Sequence, residues 1–126
     1  MKNERKFCHC PHCGNFVSFI QDAGQPLTCC GEEMDEIRPN TVEASAEKHL
    51  PVAVRNGDWL EVTVGSAAHP MSEEHRIEWI LAAEQGKTQR VTLDPAGAPF
   101  AEFPVGDGPV TVYAYCNQHG LWTAEY

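Results

Sequence analysis

Hydrophobic and polar residues alternate strictly in two stretches of the chain. Leu60, Val62 and Val64 are interleaved with Trp59, Glu61 and Thr63, and Val110, Val112 and Ala114 with Thr111, Tyr113 and Tyr115. A period of two is that of a half-buried β-strand, whose successive side chains point to opposite faces. The phase of the second stretch places Cys116 with the apolar set. Residues 89–93 and 100–105 are shorter strand candidates. Turn signals at Asn56-Gly57, Gly86-Lys87, Asp94-Pro95 and Gly106-Asp107-Gly108-Pro109 separate them. Several short strands so punctuated predict an all-β sandwich. One segment is ambiguous. Ser72-Glu73-Glu74-His75 can cap a helix carrying Ile77, Ile80, Leu81 and Glu84 at helical spacing, with Gly86 as its stop. A strand would instead place Ile77, Trp79 and Leu81 on one face. Period alone favours the helix.

Residues 1–37 read differently. They are too few to bury a stabilising core, so a metal staple is expected. Phe16–Ile20 reads as a short strand, and residues 21–26 turn the chain back to Leu27-Thr28-Cys29-Cys30-Gly31. Five of the six cysteines fall in this stretch: Cys8, Cys10, Cys13, Cys29 and Cys30. Adjacent cysteines bridge each other only with backbone strain, which disfavours a disulfide reading of Cys29-Cys30. The Cys10-x-x-Cys13 spacing favours metal ligation in a reducing compartment. Two cysteine loops joined by a hairpin supply four thiolates to one tetrahedral ion. Cys8, just before the first loop, leaves its register open. Arg38-Pro39-Asn40-Thr41 reads as a linker, giving units 1–37 and 38–126.

Composition narrows the function. Apolar residues are 42% and charged residues 21%, a globular balance. A formal charge of −9 argues against nucleic acid or an anionic membrane as partner. No apolar run approaches the roughly 20 residues of a membrane span, and the charged start resembles no signal peptide, so a cytoplasmic location is expected. His49, His69, His75 and His119 all lie near strand ends or turns, and Cys116 stands three residues before His119. A thiolate with imidazoles and no dedicated carboxylate suits iron, copper or zinc rather than calcium or magnesium.

These strings together resemble one family. Cys10-x-x-Cys13-Gly14-Asn15 followed by Cys29-Cys30-Gly31 is similar to the desulforedoxin module. Glu47-Lys48-His49-Leu50-Pro51, Ala68-His69-Pro70-Met71, Glu73-Glu74-His75, Ile77-Glu78-Trp79 and Cys116-Asn117-Gln118-His119-Gly120 follow in the order found in desulfoferrodoxins, the two-iron superoxide reductases. The resemblance spans nearly the whole chain. It implies a mainly β protein: a small desulforedoxin-like unit, then an immunoglobulin-like antiparallel β-sandwich, with residues 76–84 a strand. It implies two irons. Cys10, Cys13, Cys29 and Cys30 would hold the first in a rubredoxin-like tetrahedron, leaving Cys8 as a departure from the pattern. His49, His69, His75 and His119 would surround the second, with Cys116 axial and the sixth position open. Glu47 would close that position after oxidation, and Lys48 would stand beside incoming superoxide. The implied partners are superoxide, a rubredoxin or similar electron donor, and a second copy in a homodimer. Two other classes compete on residues alone: a zinc-ribbon-type binding module and an iron electron carrier without turnover.

Overall fold

The strictly alternating stretches form strands, and each lies in the interior of a sheet, where both neighbours enforce the register. The computed structural model describes residues 2–126. The chain divides into a unit of residues 5–38 and a unit of residues 2–4 with 39–126. In the smaller one, β1 (Phe7–His9) pairs antiparallel with β2 (Phe16–Ser18) on one side. The segments Thr28–Cys29 and Glu32–Glu33 form a two-residue hairpin, β3 and β4, and β5 (Asp35–Ile37) pairs with the other side of β1. The Cys10 N–H donates to the Asn15 carbonyl (2.9 Å) and the Gly14 N–H to the Cys10 carbonyl (3.0 Å), which curls the first cysteine loop into a knuckle. Phe7, Cys8 and Cys10 are its buried apolar side chains.

The larger unit contains one helical turn, α1 (Ala46–His49), and seven strands. These are β6 (Pro51–Asn56), β7 (Trp59–Val64), β8 (Ile77–Glu84), β9 (Lys87–Thr92), β10 (Phe100–Pro104), β11 (Thr111–Cys116) and β12 (Gly120–Glu125). They form two antiparallel sheets, ordered β10-β7-β6 and β12-β11-β8-β9. The core between them joins Leu60, Val62, Val64, Ala101 and Phe103 of the first to Ile77, Ile80, Ala82, Val112, Ala114 and Cys116 of the second. Each fully buried Leu, Ile or Val contributes roughly 1.5–3 kcal/mol by leaving water. Among the described residues no helix is long and apolar enough to cross a membrane.

The ambiguous segment is strand β8, and its faces differ from simple alternation. Tyr115 pairs with Trp79, but Cys116 pairs with Ile77, so Glu78 is an extra residue in the ladder. This bulge reverses the parity of β8 at its start. Ile77 therefore shares the core face with Ile80 and Ala82, while Trp79 and Leu81 point to the opposite face. A spacing of three between two core residues mimics a helix, which explains the helical period. The reversal also carries to His75, two residues before Ile77, and turns it toward the end of the sandwich where Cys116 lies.

Candidate metal centres

Two clusters of ligand-type side chains emerge, each with its donor atoms within 4.8 Å of one another. The first joins Cys10, Cys13, Cys29 and Cys30. The sulfurs of Cys13 and Cys29 are 3.5 Å apart and those of Cys29 and Cys30 4.0 Å. Four sulfurs bound at 2.3 Å around a tetrahedral ion would be spaced by about 3.8 Å. Their ionisation is strongly split. The Cys10 thiol is drawn down to about 6, chiefly by the Cys13 backbone N–H, and Cys30 is pushed up to about 12 by the neighbouring thiols Cys13, Cys10 and Cys29. Four thiolates so close repel one another, so holding all four together requires a cation. Cys8 lies outside the cluster: it is buried on β1 opposite Val17 and Glu36, and burial pushes its thiol up.

The second cluster joins His49, His69, His75, Cys116 and His119. The four imidazoles form a closed ring in the order 49, 69, 75, 119. Successive centroids are 4.7, 4.7, 5.0 and 4.8 Å apart, every pair edge to face. His49 Nε2 lies 3.2 Å from His69 Nε2 and 3.1 Å from His119 Nδ1. Nitrogens so spaced at the corners of a square lie roughly 2.2 Å from its centre, close to a metal–imidazole bond. The Cys116 sulfur is 3.4 Å from His69 Nε2 and 3.8 Å from His119 Nδ1.

Local bonds fix which nitrogens face inward. His49 Nδ1–H donates to the Ser45 carbonyl and His69 Nδ1–H to the Pro70 carbonyl, both at 2.7 Å, leaving each Nε2 with a free lone pair. His75 Nε2 is buried without a hydrogen-bond partner. Burial, before any neighbouring charge, lowers the proton affinity of all three, that of His69 to about 4. Converging neutral lone pairs repel one another unless a cation lies between them, so the donor set fits a metal. Burial raises the Cys116 thiol, while the backbone N–H groups of Gln118 and His119 favour its thiolate.

The surrounding chain holds these ligands by links that the sequence pattern did not reveal. Asn117 accepts the Arg76 N–H (2.9 Å) and donates to the Glu74 carbonyl (3.0 Å), tying the Cys116–His119 turn to the segment that carries His75. Trp122 stacks on His49 and donates to the His119 carbonyl. Leu121 and Trp122 are consecutive apolar residues after the Gly120 turn, so no alternation in the sequence marks which of them faces the ring; the pairing of Trp122 with Ala114 does. Glu47 and Lys48 are exposed on α1, outside the five-donor group. Lys48 is near enough to disfavour protonation of His49 and His75. The backbone of Lys48 rests on Gly65 (φ +84°), where a Cβ would clash with the Ala67 carbonyl oxygen and stand 2.7 Å from that of Lys48. Only glycine permits that approach.

Fold and clusters together define a β-sandwich metalloprotein with a four-thiolate site and a separate four-imidazole, one-thiolate site. The sequence pattern of the desulfoferrodoxin family matches residues 41–125. A desulfoferrodoxin of Syntrophotalea carbinolica is 46% identical over 116 residues, 92% of each chain, and one of Nitratidesulfovibrio vulgaris is 42% identical over 125 residues, 99% of each. The crystal structure of the superoxide reductase from Treponema pallidum superposes with a TM-score of 0.79 at 33% identity, covering 96% of this chain and 98% of that one. The chain belongs to the desulfoferrodoxin family.

Proposed function

We propose that the chain is a superoxide reductase, combining superoxide with one electron and two protons to give hydrogen peroxide. The observation that carries this reading is the closed ring of four imidazoles with the Cys116 sulfur beside it. Iron held by His49, His69, His75, His119 and Cys116 would supply the single electron that takes superoxide to the peroxide level, and an external donor would restore it. His49, His69 and His75 are kept neutral by burial, so their lone pairs are available at neutral pH. An iron held by these five donors would have room for one further ligand, the substrate. Lys48, exposed beside His49, attracts the superoxide anion and orders the water that delivers protons. Glu47, on the same turn, moves in as product departs.

The remaining assignments rest on family likeness and on the residues. The unit of residues 5–38 serves as an auxiliary iron domain through Cys10, Cys13, Cys29 and Cys30, and the unit of residues 2–4 with 39–126 as the catalytic domain. A rubredoxin or similar carrier is the electron donor, the chain works as a homodimer, and its unbridged thiols suit the reducing cytoplasm. The test is stoichiometric. Anaerobically reduced protein mixed with superoxide should yield one peroxide per superoxide and no dioxygen. Release of one dioxygen for every peroxide would mean dismutation and refute the proposal.

A further inference from the structure

Trp122 touches two adjacent corners of the histidine ring. It lies on β12 opposite Ala114 and is 4% exposed. Its indole stacks on the His49 imidazole, with centroids 5.1 Å apart and planes inclined by 24°. The same indole's Nε1–H donates to the His119 carbonyl at 3.0 Å. His49 and His119 are 70 residues apart in sequence, yet their facing nitrogens are 3.1 Å apart. His49 rides on a helix of four residues whose N-cap, Ser45, makes no side-chain capping bond. Its ring is pinned within that turn through Nδ1, about which it can still swing. The indole face removes that freedom, and the indole N–H sets the position of the turn that carries both Cys116 and His119.

We propose that Trp122 is a positioning residue of the catalytic centre, fixing the angle between the His49 and His119 ligands by stacking on one and hydrogen bonding to the backbone of the other. A side chain that merely filled the end of the sandwich would need no indole, and any large apolar residue would serve. The inference rests on the metal centre proposed above, though not on superoxide turnover. Its test therefore reads metal binding and spectrum on the full chain, with the four-cysteine site as internal reference for loading.

Two substitutions separate the two contacts. Trp122→Phe keeps an aromatic face for His49 and removes the N–H. Ferrous affinity, measured by chelator competition, should stay within about threefold of the unsubstituted protein, while the thiolate-to-iron absorption of the ferric centre shifts because the Cys116 turn is released. Trp122→Leu removes both contacts and should lower ferrous affinity about ten- to a hundredfold, the usual consequence of losing a partner that orients a ligand. The four-cysteine spectrum should be unchanged in both. An unmoved absorption band together with unchanged affinity in both variants would overturn the proposal. If Trp122→Leu does not fold, Trp122→Phe decides alone, and an unmoved band there overturns it. Absence of ferrous uptake at the five-ligand site of the unsubstituted protein would overturn the centre itself, and with it the role of Trp122.

Discussion

At Cys116, burial and ionisation oppose each other. The side chain is fully buried in the sandwich core, which favours the thiol, while the amides of Gln118 and His119 favour the thiolate. A cation at the histidine ring settles the contest, so metal uptake releases the Cys116 proton. Cys116→Ser should abolish the thiolate absorption of the ferric centre and leave the four-cysteine spectrum intact, as a visible spectrum of the oxidised protein would show. The same logic separates Cys8 from Cys10. Cys8 packs on β1 away from the cluster, so Cys8→Ala should retain both metals, whereas Cys10→Ser should lose the first. Metal analysis of the purified variants distinguishes the two. Single residues were also the most legible scale. The Cys-x-x-Cys and Cys-x-x-His spacings mark candidate ligands directly. Which histidines converge does not follow from spacing, because His49, His69 and His119 meet across 20 and 70 residues of chain. The family resemblance supplied that set, but not Trp122 or Asn117, since an aromatic in a strand and an amide in a turn ordinarily serve packing and turn geometry.

Among the elements, the strands that alternate cleanly, β7 and β11, could be read from sequence because each has one core face and lies inside its sheet. β6 and β12 could not. β6 opens on Pro51 and leaves Val52 and Val54 exposed, and β12 begins at Gly120, which reads as a turn. In β8 the bulge at Glu78 broke the period. The loop between β7 and β8 matters most for the site. It presents His69, and through the Ser66 hydroxyl and the Ala67 N–H, each 3.3 Å from the Glu47 carbonyl, it supports the turn carrying Glu47 and Lys48. Gly65→Ala would push a methyl group into two carbonyl oxygens, in addition to requiring a left-handed backbone. It should destabilise the sandwich by about 2 kcal/mol or more and slow the reaction with superoxide by displacing Lys48. Gly57→Ala is the comparison: its φ is +60° but a Cβ there meets nothing within 4 Å, so the cost should be about 1 kcal/mol with no change in rate. Urea unfolding and stopped-flow measurements on the two variants test both statements.

For the molecule as a whole, the two units draw stability from different sources. The sandwich buries a continuous apolar core, whereas residues 5–38 bury only Phe7, Cys8 and Cys10 as apolar side chains. Stripping the metals with a strong chelator should therefore unfold the small unit and leave the sandwich folded, visible as selective loss of amide protection within residues 5–38. Charge also acts at this scale. The chain carries a formal −9, which repels superoxide at long range, while Lys48 is near enough to disfavour protonation of His49 and His75, and exposed charges are screened beyond a Debye length of roughly 8 Å. The local cation should prevail, so the reaction should slow as salt is added. Lys48→Ile should slow it several-fold and weaken or invert the salt response with both metals retained. A wild-type rate that rises with salt would mean that the global charge dominates.

The linear order of the ligands imposes a timetable on assembly. All four sulfurs of the first site have been synthesised by Cys30, whereas the second site needs Cys116 at the end of β11 and His119 in the turn before β12. A chain growing from its amino terminus can close the small metal knot while most of the sandwich has yet to be made. The iron position that meets superoxide cannot form until β11 has paired with β8. A nascent or truncated chain thus carries at most the closed, fully ligated iron, and the reactive one is withheld until the fold that shields it is complete.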